Sequence, residues 1–204
     1  MSFIETEIKY LLSKESFKRL YNHLKQYNKN PSLIRQVNYY FDPVDLSMQQ
    51  HRINIRIRLL KGMSELTCKI PKDDIIKDNI QNSYEYNVEL SRSEALYYIE
   101  NGLSSQALLK HFGNIFDHHD LITYDTICYG HLRTARIHFD IIDSLAPLLL
   151  DINAYLGTFD YELEWELAEV QVANKILHDL FDTLAISPIG QMKPKRKRFF
   201  QQLL

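Results

Sequence analysis

The sequence predicts an α+β fold built on one large antiparallel sheet or barrel. Three observations point there. Most stretches alternate polar and apolar residues with period two, and long helical stripes are few. Thirteen Tyr and ten Phe also lean the composition toward sheet. At 204 residues the chain is expected to form a single domain, 1–204, with a sizeable core. Six Gly and six Pro leave room for few long irregular loops.

The elements follow in order. Residues 2–12 alternate as a strand. Residues 14–27 place Phe17, Leu20, Tyr21, Leu24 and Tyr27 at helical spacing behind Ser13, a fitting N-cap, and Asn30-Pro31 ends that helix. Strands are predicted over 35–42, 51–60, 64–70 and 83–90. Ser91-Arg92-Ser93-Glu94 forms a capping box opening a short helix that Gly102 stops, and a second short helix follows over 104–113. Strands resume at about 121–129, 131–141, 146–155 and 159–167. The stretch 168–185 carries one apolar stripe of Val170, Ala173, Leu177, Leu180, Phe181 and Leu184, and a basic segment over 193–198 closes the chain.

The polar faces of these strands are unusual. Glu5, Glu7 and Lys9 share one face of the first strand. Arg52, Asn54, Arg56 and Arg58 lie opposite Ile53, Ile55, Ile57 and Leu59. Glu65, Thr67 and Lys69 follow, then Glu85, Asn87 and Glu89, and later Glu162, Glu164 and Glu166. Same-face neighbours lie about 7 Å apart, where two carboxylates repel by about 2 kcal/mol at an effective dielectric near 20. A solvated face screens this. Two readings are therefore open: a sheet with a salt-laced outer surface, or a closed barrel with charges inside and an apolar exterior wrapped by helices. Single-sign blocks along each strand and large continuous apolar faces favour the second. A cavity lined by both signs suits a polyphosphate with its metal, because Arg and Lys hold phosphate oxygens and clustered carboxylates hold Mg2+ or Mn2+.

Several function classes drop out. Lys and Arg number 24 against 26 Asp and Glu, a net charge of −2, so no nucleic-acid partner is expected. The most apolar run, Leu145 to Leu150, is broken by Pro147, so no membrane span is expected. The acidic N-terminus lacks a basic n-region and is not read as a secretory signal, which points to the cytoplasm. Cys68 and Cys128 stand alone and read as two buried free thiols. No P-loop motif and no Ser-His-Asp or Cys-His nucleophile set is present. His118-His119-Asp120 is set aside as a metal site because adjacent side chains diverge. The basic run from Lys193 to Arg198 reads as a solvated tail partly recruited to a cavity mouth.

Glu5-Thr6-Glu7-Ile8-Lys9 resembles the ExExK signature of the CYTH superfamily, the triphosphate tunnel metalloenzymes. Further motifs appear in family order: Tyr39-Tyr40-Phe41-Asp42, Ile55-Arg56-Ile57-Arg58, Thr67-Cys68-Lys69, Thr134-Ala135-Arg136, Leu150-Asp151 with Asn153-Ala154-Tyr155, Asp160-Tyr161-Glu162-Leu163-Glu164, and Lys195 through Phe199. Together they span nearly the whole chain and resemble most the small CYTH proteins of Gram-positive bacteria. The resemblance implies a closed antiparallel β-barrel of roughly eight strands, a tunnel with a charged interior flanked by helices. It implies that Lys9, Arg56, Arg58, Lys69, Arg136 and Lys195 bind a triphosphate-containing small molecule. It implies that Glu5, Glu7, Asp151, Glu162 and Glu164 hold Mg2+ or Mn2+, with Lys9, Glu5 and Glu7 taking part in catalysis. Glu85 or Glu89 joins the lining, Arg133 stands as an alternative to Arg136, and Tyr40 and Arg198 are further candidates. The expected activity is metal-dependent triphosphate hydrolysis. A cyclase making cyclic AMP from ATP and a non-catalytic polyphosphate binder are the alternatives. Both a monomer and a homodimer are compatible with the sequence.

Overall fold

The computed structural model describes residues 2–28, 30–72, 79–118, 124–142, 145–166, 170–190 and 193–204. Among them, eight strands form a closed antiparallel barrel in the order β1–β5–β4–β3–β2–β6–β7–β8. The strands are β1 (Ser2–Leu12), β2 (Ser32–Asp42), β3 (Asn54–Leu60), β4 (Met63–Pro71), β5 (Ile80–Leu90), β6 (Ile127–Phe139), β7 (Leu148–Tyr155) and β8 (Thr158–Glu166). The helices are α1 (Lys14–Tyr27), α2 (Ser47–Gln50), α3 (Arg92–Asn101), α4 (Ser105–His118), α5 (Val170–Thr183) and α6 (Lys195–Leu203). None of the described helices is long and apolar enough to cross a membrane.

Local chemistry sets the boundaries. Ser13 Oγ accepts from the Ser16 backbone N–H at 3.0 Å, and Ser91 Oγ accepts from Glu94 at 3.1 Å, so both predicted caps form. Several readings change. The strand expected over 51–60 begins at Asn54, and Arg52 lies in the turn before it at a φ of 61° rather than on the strand's polar face. The strands expected over 121–129 and 131–141 are one strand, β6, because Gly130 takes a φ of 134° and lets the chain stay extended; residues 121–123 lie outside the described residues. The basic segment is a helix, α6, with Arg196 and Arg198 buried, rather than a solvated tail. The short α2 was not anticipated. The β7–β8 hairpin turns through Leu156 and Gly157, both at positive φ, which pins the register Tyr155↔Thr158.

The chain divides into two compact units. One comprises residues 1–4, 36–72 and 83–132. Its core packs Ile55, Ile57, Leu59, Leu66, Cys68 and Ile70 of the strands against Ala95, Tyr98, Leu108, Phe112 and Phe116 of α3 and α4. Cys68 is buried there and Cys128 is only partly so. The other comprises residues 5–35, 73–82 and 133–204. Its core sets Ile8, Tyr10, Leu150, Leu163 and Trp165 against Phe17, Leu20 and Leu24 of α1 and Ala173, Leu177 and Phe181 of α5. Each such side chain contributes about 1.5–3 kcal/mol on burial. In both units the apolar residue at every second strand position meets the helices. The polar residues between them share the opposite face.

Candidate active site

In the first unit, the polar face of β2–β5 carries Arg56, Arg58 and Lys69. Strand register places their partners: Lys69 stands across from Glu85, Arg58 across from Glu65 and Asn38, and Arg56 across from Thr67 and Tyr40. Opposite charges across strands offset the like charges along each strand. The pairs are long. Arg56 Nη2 lies 3.4 Å from Glu85 Oε1, Lys69 Nζ 3.4 Å from Glu85 Oε2, and Arg58 Nη1 3.5 Å from Glu65 Oε1. Arg58 Nε donates to Asn38 Oδ1 at 3.3 Å, and Asn87 Nδ2 donates to Glu85 Oε1 at 3.1 Å. Burial pushes the Glu85 carboxyl up. Arg56, Lys69 and Arg58 outweigh that and hold it well below the usual carboxylate range.

In the second unit, the polar faces of β1, β6, β7 and β8 meet α6. Lys9 Nζ lies 2.7 Å from Glu7 Oε1 and 3.2 Å from Glu164 Oε1. Arg136 makes a fork to Asp151, with Nε to Oδ1 at 2.8 Å and Nη2 to Oδ2 at 2.7 Å, and also pairs with Glu164. Lys195 Nζ touches Asp151 Oδ2 at 2.7 Å, Glu162 Oε2 at 3.1 Å, and Glu164. Arg198 Nη2 donates to Glu162 Oε2 at 2.7 Å and its Nε to Asp160 Oδ2 at 2.9 Å. Asp160 further accepts from Asn153 Nδ2 and the Tyr155 hydroxyl, each at 2.8 Å. The acids are deeply buried: Asp151 and Glu162 have no exposed surface.

Burial opposes the charges of Asp151, Glu164, Lys195, Arg136 and Arg198, and their neighbours outweigh it. Asp151 is held below the usual range by Lys195 and Arg136 against the upward push of burial. Glu164 is held well below it by Lys195, Lys9 and Arg136. Burial pulls Lys195, Arg136 and Arg198 down, and the carboxylates more than restore them. Burial and the bond to Asp160 push the Tyr155 phenol up to about 12.

The expected positions fall into two groups. Lys9, Glu7, Arg136, Asp151, Glu162, Glu164 and Lys195 come together in the second unit, with Arg198 beside them. Arg56, Arg58, Lys69 and Glu85 come together in the first. Glu89 shares Glu85's face but is exposed at the strand's end, across from Glu65. Arg133 is exposed on the opposite face of β6 from Arg136. Tyr40 is 2% exposed on the Arg56 side. Glu5 lies in β1, and its side chain falls outside the described residues, as do those of His118, His119 and Asp120. Asn153, Tyr155 and Asp160 stand in the motifs quoted above without a site role, and Asn38 in none of them. For Asp160 the signal was available, since it shares the parity of Glu162 and Glu164.

Among the described residues, no three carboxylate or imidazole groups converge on a ready cation cage. The donor set nonetheless fits a hard divalent ion. Glu7, Asp151, Asp160, Glu162 and Glu164 face Lys9, Arg136, Lys195 and Arg198, an acid excess. Glu162 Oε1 is buried without a hydrogen-bond partner. All-oxygen sets of this kind suit Mg2+ or Mn2+.

A protein-family model described as the CYTH domain matches residues 4–198. YjbK of Bacillus subtilis (strain 168), assigned as a triphosphatase, is 28% identical over 200 residues, spanning 98% of this chain and 95% of that protein. A Bacillus halodurans crystal structure assigned as an adenylate cyclase superposes with a TM-score of 0.76 at 28% identity, covering 98% of each chain. HpAC1 from Hippeastrum, assigned as an adenylyl cyclase and described as having a dominant triphosphatase activity, superposes at 0.81. At 21% identity over 97% of this chain and 95% of that one, it speaks to the fold alone.

Proposed function

The chain belongs to the CYTH family, and on that premise we propose that it is a cytoplasmic enzyme hydrolysing a triphosphate compound with Mg2+ or Mn2+. Inorganic, thiamine and nucleoside triphosphates are the candidate substrates, and residues 1–204 act as one functional domain. The observation that carries this reading is the division of charge. Arg56, Arg58 and Lys69 stand together on β3–β5 in ion pairs of 3.4–3.5 Å with Glu85 and Glu65, while the carboxylates of β7 and β8 are buried in tighter pairs where they meet α6.

Each set has a role in the proposal. Arg56, Arg58 and Lys69 grip the non-bridging oxygens of the phosphates that are not transferred. Lys9, Arg136 and Lys195 neutralise charge on the phosphoryl group under attack. Glu7, Asp151, Glu162 and Glu164 would hold the divalent ion, with Glu5 a further candidate. Bound there, the ion supplies charge neutralisation and polarisation of the phosphoryl oxygens. Glu7 or Glu5 orients the attacking water. Asp160 and Arg198 position α6 so that Lys195 meets the carboxylates.

Phosphate release from inorganic triphosphate, thiamine triphosphate and ATP, with Mg2+ or Mn2+, tests the proposal. Release from at least one is expected, and release from none overturns it. The cyclase assignment of the Bacillus halodurans relative keeps a second reading in play. Products from ATP separate the two: ADP and phosphate for hydrolysis, cyclic AMP and pyrophosphate for cyclisation. Tight triphosphate binding without turnover would instead indicate a binding module.

A further inference from the structure

Lys195 is the first residue of α6, and its ammonium is the shared contact of three buried acids. It meets Asp151 at 2.7 Å, Glu162 at 3.1 Å, and Glu164. Its place on the helix is otherwise unfavourable. A cation at a helix N-terminus opposes the macrodipole, and Pro194 ahead of it offers no side-chain cap. The carboxylates alone account for the ammonium's position. Beside it, Glu162 Oε1 is buried and has no hydrogen-bond partner, an acceptor that the ammonium does not satisfy.

The helix does not depend on that contact. Three residues on, Arg198 is fixed by Asp160 Oδ2 at 2.9 Å and Glu162 Oε2 at 2.7 Å. Phe199 and Phe200 are fully buried. A lysine's four-carbon stem therefore lets Nζ leave the acids while α6 stays docked.

We propose that Lys195 is a resident counter-ion of the Asp151–Glu162–Glu164 set, which a divalent cation must displace in order to bind. Metal affinity is thereby held down until a polyphosphate gives the ammonium another partner. By linkage, triphosphate and metal each raise the other's affinity. This rests on the reading of these carboxylates as metal-holding, and goes beyond it by assigning the set a gate.

The test is Mn2+ binding to the intact protein without substrate, read from the electron paramagnetic resonance signal of free Mn2+. If Lys195 holds the set nine-tenths of the time, Lys195→Gln should bind Mn2+ about tenfold more tightly than the parent. Equal or weaker binding overturns the gate, as does an absence of Mn2+ binding in both proteins. A second measurement needs no variant. Acetylation of Lys195 by an amine-reactive reagent, read by mass spectrometry, should rise when Mn2+ is added to the parent protein. Unchanged acetylation at saturating Mn2+ overturns the gate. Phosphate release by the parent is scored separately. Release without the Mn2+ gain defeats the gate alone, while the Mn2+ gain without release defeats the hydrolase reading and leaves the gate standing.

Discussion

The two charged faces of this protein differ in tightness, in burial and in where their groups come from. On β3–β5 the ion pairs of Arg56, Arg58 and Lys69 with Glu85 and Glu65 run 3.4–3.5 Å, and these partners are all strand residues. On β7, β8 and α6 the acids are in excess, pairs close to 2.7 Å, and two of the cations arrive on a helix from the end of the chain. Pairs this long are weaker than the 2.7 Å pairs, so an incoming anion displaces their carboxylates at less cost. Short pairs around buried carboxylates are needed because an unpaired buried charge costs several kcal/mol. Under the proposed function, the looser pairs of β3–β5 yield to phosphate and the buried carboxylates of β7 and β8 take the cation.

Altering the acid-rich face should have the largest consequence. Glu164→Gln removes a carboxylate shared by Lys9, Arg136 and Lys195, and turnover should fall by about 10²–10³. Steady-state phosphate release measures it; a loss under threefold would remove Glu164 from the chemistry. Asp160→Asn breaks the Arg198 anchor beneath the same face. Disrupting a buried pair costs about 3–5 kcal/mol, so the melting temperature should drop by about 6–20 °C. Asp160→Glu should recover part of it.

The same operation on the β3–β5 face should cost far less stability. Arg58 and Glu65 retain about a fifth of their side-chain exposure. Arg58→Gln should leave the melting temperature within a few degrees while raising KM for triphosphate about tenfold, with kcat less affected. A melting loss as large as that of Asp160→Asn would mean the two faces are built alike.

The smallest effect is on pH. Glu85, Asp151 and Glu164 all have folded-state pKa values below their unfolded ones. Such groups contribute stability that is fully present above about pH 4 and lost as pH falls through the folded-state values. Thermal melts should therefore be nearly flat from pH 7 to 5 on their account and fall below pH 4. Glu164→Gln should fall less steeply than the parent, and an equal slope would deny Glu164 its share.

Much of this was legible in the sequence because period-two alternation records which face each strand buries. Arg56, Arg58, Lys69, Glu162 and Glu164 all lie where parity puts them, and parity alone separates Arg136 from Arg133. Glu85 and Glu89 share a parity, so only depth along β5 divides them, and depth is a tertiary property. The α6 helix was not legible. The segment from Lys193 to Arg198 has the composition of a solvated run, and Arg198 becomes buried only through Asp160 and Glu162, more than thirty residues earlier. The joined strand β6 was missed because Gly130 reads locally as a break.

The most direct test of the division is calorimetric titration of inorganic triphosphate, without metal, into the parent protein, Arg58→Gln and Glu164→Gln. If the faces have the opposite jobs argued above, Arg58→Gln binds about tenfold more weakly. Glu164→Gln binds as well as the parent or better, because its loss frees Lys9, Arg136 and Lys195 for the anion. Equal weakening in both variants, or weakening confined to Glu164→Gln, would contradict the account.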